Sequence, residues 1–257
     1  MKVTLLQTDI KWSDPSANHR EAERLIEQAE KSDLYILPEM WSTGFATFSD
    51  GVAEVVDDNG DTDSLRWMRR MAQTYDAAVA GSLAMKLPDG TYRNRLLFVT
   101  PSGEEYYDKR HLFTYGGEDR RYTAGARRVV TEWRGVRFLL QVCYDLRFPV
   151  FSRNRGDYDV ALYVANWPDS RRQVWDTLLR ARALENQCYV IGVNRVGDDA
   201  RCHYDGGSAV IDAYGHSVAM AADGRQQVVT ADIDMQRLQR FREKFPVLAD
   251  RDDFRLE

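Results

Sequence analysis

Cysteine is scarce in this chain: three occur in 257 residues, at positions 143, 188 and 202. So few, in odd number and widely spaced, make neither a disulfide framework nor a metal-ligand cluster, and they suit free thiols in a reducing compartment. An excess of either charge is also lacking. The 35 basic and 40 acidic residues leave a formal charge of −5, which gives no global attraction to nucleic acid or to an anionic membrane. No apolar run reaches the roughly 18 residues that a membrane span needs, and Met1-Lys2-Val3-Thr4-Leu5 enters a strand without a signal-peptide pattern. The expected compartment is the cytoplasm, and the expected partner is a small molecule. Proline-rich tracts, short-period repeats and low-complexity stretches are missing, which excludes a solenoid or a multidomain array. GxGxxG, P-loop and HExxH patterns are missing too. Cys202-His203 is a lone pair without further spaced ligands and makes a poor zinc signature. No cofactor and no metal are expected.

What is present is enough apolar material, 44% of the residues, to build one large α/β domain over 1–257. Strand-like and helix-like segments alternate. Residues 2–8 read as a strand, and Asp14-Pro15 supplies a cap and a first-turn proline for a helix with Ala22, Leu25, Ile26 and Ala29 on one stripe. Asp61-Thr62 caps a second helix striped by Leu65, Met68, Ala72 and Tyr75, which leads into a strand over 77–83. Turns at Pro88-Asp89-Gly90 and Pro101-Ser102-Gly103 bracket strands over 94–100 and 105–109. Further strands are expected over 160–165, 190–194, 208–211 and 228–233, and a helix over 170–186.

Three apolar strands end in groups with chemistry. Val136-Arg137-Phe138-Leu139-Leu140-Gln141-Val142 stops at Cys143 and passes into the polar turn Tyr144-Asp145-Leu146-Arg147. Residues 34–41 read as a strand ending in the acid Glu39, and Tyr106-Tyr107-Asp108-Lys109 delivers an ammonium. Taken singly, each has a plainer reading: a buried core thiol, an acid at a helix start after Pro38, a solvated lysine. Together they offer a carboxylate, an ammonium and a thiol on rigid supports.

With LPEMWSTGF around Glu39, YDKRHLF around Lys109 and VCYDLRFP around Cys143, the chain resembles the nitrilase, or carbon-nitrogen hydrolase, superfamily, whose catalytic Glu, Lys and Cys occur in that order. The likeness runs on through YVANWP, RALENQ and NRVG to EKFP and so covers essentially the whole chain. It implies a four-layer α-β-β-α sandwich that assembles into homodimers or larger homo-oligomers. It implies a further Glu, matched here by Glu118 in Tyr115-Gly116-Gly117-Glu118-Asp119-Arg120, although Asp119 next to it could be confused with it. CYDLRFP, YVANWP and the compact length look most like the omega-amidases, which hydrolyse the distal amide of 2-oxo dicarboxylic monoamides such as 2-oxoglutaramate and 2-oxosuccinamate. Cysteine nitrilases, carbamoylases and the amidase that repairs deaminated glutathione share the trio, so the trio fixes the reaction type and leaves the acyl group open.

The residue types fit that chemistry independently of the likeness. A carboxamide needs a strong nucleophile and a proton carrier for its departing nitrogen. Cys143 is the candidate nucleophile. Glu39 is the candidate base, able to take the thiol proton, pass it to the leaving nitrogen and later activate water. Lys109 and the backbone N–H of Tyr144 are the candidate oxyanion donors. Arg147 could fork onto a substrate carboxylate, or pair with Asp145 to brace the turn. Asn166 and Trp167 end the next strand, where a pocket wall would stand. Two rival readings remain open. One is a thiol hydrolase using His19, His111, His203 or His216 as base, weakened because His111, two residues past Lys109, should face the other side of its strand. The other is a non-catalytic binding module with an inert Cys143.

Overall fold

The computed structural model describes residues 1–45, 47 and 51–255. In chain order the elements are β1 (Lys2–Gln7), α1 (Pro15–Gln28), β2 (Leu34–Ile36), β3 (Glu54–Val55), α2 (Asp63–Tyr75), β4 (Ala78–Lys86), β5 (Tyr92–Thr100), β6 (Gly103–Asp108), β7 (Val130–Trp133) and β8 (Val136–Val142). There follow α3 (Pro149–Ser152), β9 (Val160–Ala165), α4 (Arg172–Asn186), β10 (Tyr189–Asn194), β11 (Val196–Asp198), β12 (His203–Asp205), β13 (Ala209–Ile211), β14 (Ser217–Met220), β15 (Gln227–Asp232) and α5 (Met235–Lys244). One sheet runs β15-β1-β2-β4-β5-β6, with β3 also paired to β4. The other runs β14-β13-β10-β9-β8-β7, and β11 with β12 forms a separate hairpin.

Side-chain alternation explains how the layers stack. Val3, Leu5, Leu34, Ile36, Ala78, Ala80, Leu96 and Phe98 share one face of the first sheet and join the core cluster that also holds Phe138, Leu140, Val160 and Leu162 of the second. The rings of Phe98 and Phe138 meet across the gap with centroids 5.3 Å apart. Residues of the opposite parity, Leu6, Tyr35, Val79, Leu97 and Val99, pack instead with Leu25, Ile26, Leu65, Met68 and Ala72 of α1 and α2. Strands buried on both faces in this way need near-continuous apolar runs, and β8, β9 and β10, which pair in parallel, have them. On the far side of the second sheet α4 presses Trp175 and Leu179 so close to β10 that a Cβ on Gly192 would lie 2.8 and 2.6 Å from them. The result is the α-β-β-α sandwich.

Both expected helix starts use the anticipated caps: Asp14 accepts from the Ala17 N–H at 2.9 Å and Thr62 from the Leu65 N–H at 3.1 Å. Several elements depart from the sequence expectation. The strand expected over 34–41 covers only Leu34–Ile36, because Pro38 has no N–H to continue a ladder. The helix expected from 170 begins at Arg172 after a 3-10 turn. The short β3, β7, β14 and the β11–β12 hairpin were not anticipated, since two to four residues are too few for alternation to register. Neither was α5, whose one buried residue is Leu238.

Candidate active site

Glu39 lies three residues past the end of β2, and its backbone is still tied to β4. The Leu37 N–H donates to the Ala80 carbonyl at 2.7 Å, the Trp41 N–H to the Ser82 carbonyl at 3.1 Å, and the Met40 N–H to the Ser82 hydroxyl at 2.9 Å. The approach depends on Gly81, where a Cβ would stand 2.8 Å from Trp41 Cδ1 and 2.9 Å from Leu37 Cβ. Gly81→Ala is therefore expected to cost about 1–3 kcal/mol of stability and to lower turnover at least about tenfold by shifting Glu39. Thermal melts together with initial rates test this, and a variant matching the wild type in both would refute the stated role of the glycine.

Lys109 follows β6 directly. Its N–H donates to the Asn94 carbonyl at 2.9 Å, and its own carbonyl accepts from the Gly125 N–H at 2.9 Å. The ammonium is wholly buried between two buried carboxylates, 2.9 Å from Glu39 Oε1 and 2.8 Å from Glu118 Oε2. Asn94 Nδ2 donates to the same two acids, at 2.7 Å to Glu39 and 3.1 Å to Glu118, and its carbonyl oxygen accepts from the Ser82 hydroxyl at 2.9 Å. Glu118 Oε2 also accepts from the Phe113 N–H at 2.7 Å. Burial opposes the charge on Lys109, but the Glu118 and Glu39 carboxylates outweigh it and hold the ammonium firmly protonated. Burial, with the charge of Glu39 adding to it and that of Lys109 opposing, raises the Glu118 carboxyl above the usual range. Asp119 is exposed, so Glu118 is the acid that joins the cluster.

Cys143 opens a 3-10 turn, Cys143–Arg147, at the end of β8 and holds a left-handed φ of 46°. That conformation is strained for any residue with a Cβ. It aims the sulfur out of the strand, and Sγ lies 3.9 Å from the Asn166 carbonyl. Burial, and after it the Glu39 carboxylate, push the thiol well above its ordinary pKa, with Lys109 opposing. The neutral thiol is thus the favoured form of the sulfur next to Glu39. Tyr144, second in the 3-10 turn, occupies a position whose N–H has no partner within such a turn.

Asp145 anchors the elbow from behind. Its Oδ2 accepts from the Val142 N–H at 2.9 Å and the Tyr107 hydroxyl at 2.8 Å, while its Oδ1 faces the backbone N–H and Nδ1 of His111 at 3.0 and 2.7 Å. The proposed Asp145 to Arg147 brace is therefore not formed. The expectation for His111 also needs correcting, since residues two apart share a strand face and alternation does not separate it from Lys109. It stands beyond β6, where its ring faces Asp145 and stacks on Phe148 at 3.9 Å. His19 is bonded to Ser64, and His203 lies between Asp198 and Asp205. None of the four histidines lines the cavity at Cys143.

That cavity holds about 220 Å³, the share of roughly seven liquid waters. Lys109, Cys143, Tyr144, Arg147, Asn166 and Trp167 line it, together with Phe45, Phe113, Arg171 and residues of the β11–β12 hairpin. Asn166 serves Glu39 as much as the cavity: its N–H donates to Glu39 Oε2 at 2.8 Å and its Nδ2 to the Glu39 carbonyl at 2.7 Å. The Arg147 guanidinium lies 5.3 Å from the centre of the Trp167 ring. Sequence reasoning missed Asn94, Ser82 and Arg171. A signal for Asn94 existed, since it shares the inward parity of Leu96 and Phe98 on β5, and a polar residue in such a row needs a buried partner.

Residues 2–243 match the family described as carbon-nitrogen hydrolase. An omega-amidase YafV of Yersinia enterocolitica is 48% identical over 258 residues, covering 100% of this chain and 98% of the relative. A 2-oxoglutaramate amidase of Bacillus subtilis is 34% identical, with 96% of each covered. The crystal structure of a Xanthomonas campestris CN-hydrolase superfamily protein, which carries an arsenic adduct in its active site, superposes with a TM-score of 0.95 at 44% identity, covering 100% of this chain and 99% of that one.

Proposed function

The chain belongs to the carbon-nitrogen hydrolase family, and on that premise we propose that it is an omega-amidase, cleaving the distal amide of 2-oxoglutaramate or 2-oxosuccinamate to the acid and ammonia. Glu39, Lys109 and Cys143 are the catalytic residues of this reading, with Glu118 as the second acid. As Sγ attacks the amide carbon, Glu39 takes the thiol proton, and the carbonyl π pair moves onto oxygen. Lys109 Nζ and the Tyr144 N–H stabilise that oxyanion, each donor contributing roughly 3 kcal/mol where water is excluded. Collapse of the tetrahedral adduct breaks the C–N bond while Glu39 returns the proton to nitrogen, which leaves as ammonia and a thioester remains. Water then attacks the thioester. Glu39 takes its proton and hands it to the departing sulfur, restoring the thiol.

The acyl preference rests on one observation, the Arg147 guanidinium stacked on Trp167 in the cavity of Cys143 and without an ion-pair partner among the described residues. A cation held there without a counter-ion favours a substrate that brings a carboxylate, and the small cavity suits a short acyl chain better than a peptide. The ratio of kcat/KM for 2-oxoglutaramate to that for butanamide or glutamine is expected to exceed about a hundredfold. Glutamine fails because its α-ammonium meets the cationic wall. Equal values, or a preference for a nitrile or an N-carbamoyl amino acid, would remove the omega-amidase assignment.

The same reading includes one catalytic domain over 1–257, a cytoplasmic location and self-association as a homodimer or larger homo-oligomer. Among the described residues no helix is long and apolar enough to cross a membrane. Leu184, Phe245 and Tyr214 expose apolar surface that a second copy could cover.

A further inference from the structure

Arg147 is not the only guanidinium in the cavity without an ion-pair partner among the described residues. Arg171, the last residue of the 3-10 turn before α4, also lines it, half-buried, and forms no ion pair among the described residues. Its guanidinium lies 5.3 Å from the ring centre of Phe113. Trp167 links the two arginines: its ring carries the Arg147 guanidinium, and its Nε1 donates to the Arg171 carbonyl at 2.8 Å. One indole thus sets the position of both. Among the described residues that line the cavity the one carboxylate is Asp199, which accepts from the Arg201 and Cys202 N–H groups at 2.7 and 2.8 Å and from the Tyr204 hydroxyl at 2.6 Å.

Arg147 and Arg171, two of the three guanidiniums that line the roughly 220 Å³ cavity, repel each other and are partly desolvated, an arrangement that is costly unless an anion fills the space between them. We infer that Arg171 is a specificity-determining residue that completes, with Arg147, a two-guanidinium clamp on the 2-oxo-carboxylate end of the substrate. The inference rests on the omega-amidase reading and extends it to a residue outside the catalytic cluster. A 2-oxo acid offers three oxygens in one conjugated plane, a carboxylate and the adjacent ketone. Two planar forks can share these without competing, whereas one fork is satisfied by the carboxylate alone. Arg171 therefore contributes to the choice of 2-oxo acids over simple carboxylates.

The test uses the full chain with Arg171→Gln and Arg171→Lys, measuring kcat and KM for 2-oxoglutaramate, glutaramate (the same chain without the ketone) and butanamide, together with the iodoacetamide alkylation rate of Cys143. Arg171→Gln is expected to raise KM for 2-oxoglutaramate about ten- to a hundredfold with kcat changed far less, and to reduce the preference over glutaramate by a similar factor. The alkylation rate should stay within about twofold, because Cys143 and Glu39 are untouched. Arg171→Lys should recover part of the loss in KM through its charge and little of the preference for the ketone, because it lacks the fork. If Arg171 merely props Phe113, whose N–H holds Glu118, kcat and alkylation would fall together and Phe113→Leu would copy the effect. That result overturns the clamp, as does a variant with unchanged KM and unchanged preference. A wild-type enzyme that shows no preference for 2-oxoglutaramate over butanamide would instead sink the omega-amidase reading, which separates the two failures.

Discussion

Cys143→Ala is expected to lower amide turnover by at least about four orders of magnitude, since removing a nucleophile abolishes the covalent route and leaves only binding and the oxyanion donors. The fold should survive: the residue is 9% exposed, it borders the cavity, and the change removes a single sulfur atom. A sharper expectation follows from the backbone. With a φ of 46°, residue 143 has the left-handed conformation that costs a residue with a Cβ roughly 1 kcal/mol. Alanine keeps that strain and glycine relieves it, so Cys143→Gly should be equally inactive yet melt about 2–4 °C above Cys143→Ala. Wild-type enzyme quenched during turnover should carry an acyl group on the Cys143 peptide in intact and digest mass spectra, and neither variant should. Residual turnover within a hundredfold of wild type in the alanine variant would remove Cys143 from the nucleophile's role. A glycine variant melting below the alanine variant would show that the elbow is unstrained.

The layers of the fold were legible because long buried strands need apolar runs: Val136–Val142 and Val160–Ala165 have the expected bounds. Caps at Asp14 and Thr62 were readable for a similar local reason. The candidate site was legible only in part. Cys143 and Lys109 follow directly on strands, but Glu39 does not, and what aims it is a loop tied down by Gly81, Ser82 and Asn166 from distant parts of the chain. Pairings of that kind depend on register between sheets, which no local pattern encodes. Asp145 and Arg147 are two residues apart yet point to different tasks, one inward to Tyr107 and His111 and one into the cavity. Spacing suggested a pair where the turn separates them. Arg171 escaped notice because arginine before a helix is ordinary on a surface, and only the closure of the cavity by the β11–β12 hairpin gives it a role.

Lys109→Met should be the most damaging substitution in the protein, and its effects should not stop at the oxyanion. From the strand ends alone one would expect the lysine to act in transition-state stabilisation and Glu39 in thiol activation, with separable defects. The ammonium, however, is the shared counter-ion of Glu39 and Glu118, each within 3 Å of it. Methionine would leave two fully buried carboxyl groups facing each other with only Asn94 between them. Removing one partner of a buried ionic group costs about 3–5 kcal/mol, and a proton would be retained in the pair to relieve the repulsion. A protonated pair is a poorer base, so thiol alkylation should slow along with amide hydrolysis, by at least about tenfold against several orders of magnitude for turnover. The stability defect should also depend on pH. Glu118 already binds its proton more tightly in the fold than an ordinary glutamate, and losing Lys109 removes the charge that opposes this. A carboxyl whose folded pKa is raised contributes stability below the unfolded value of about 4.3, and that contribution is lost as pH rises through the folded pKa. The gap in melting temperature between Lys109→Met and wild type should therefore narrow as pH is lowered from 8 towards about 5. The double variant Lys109→Met with Glu118→Gln should recover part of the stability while remaining inactive. A gap that is constant with pH, or alkylation as fast as wild type, would mean that the two acids ionise without help from Lys109 and that its role is confined to the oxyanion.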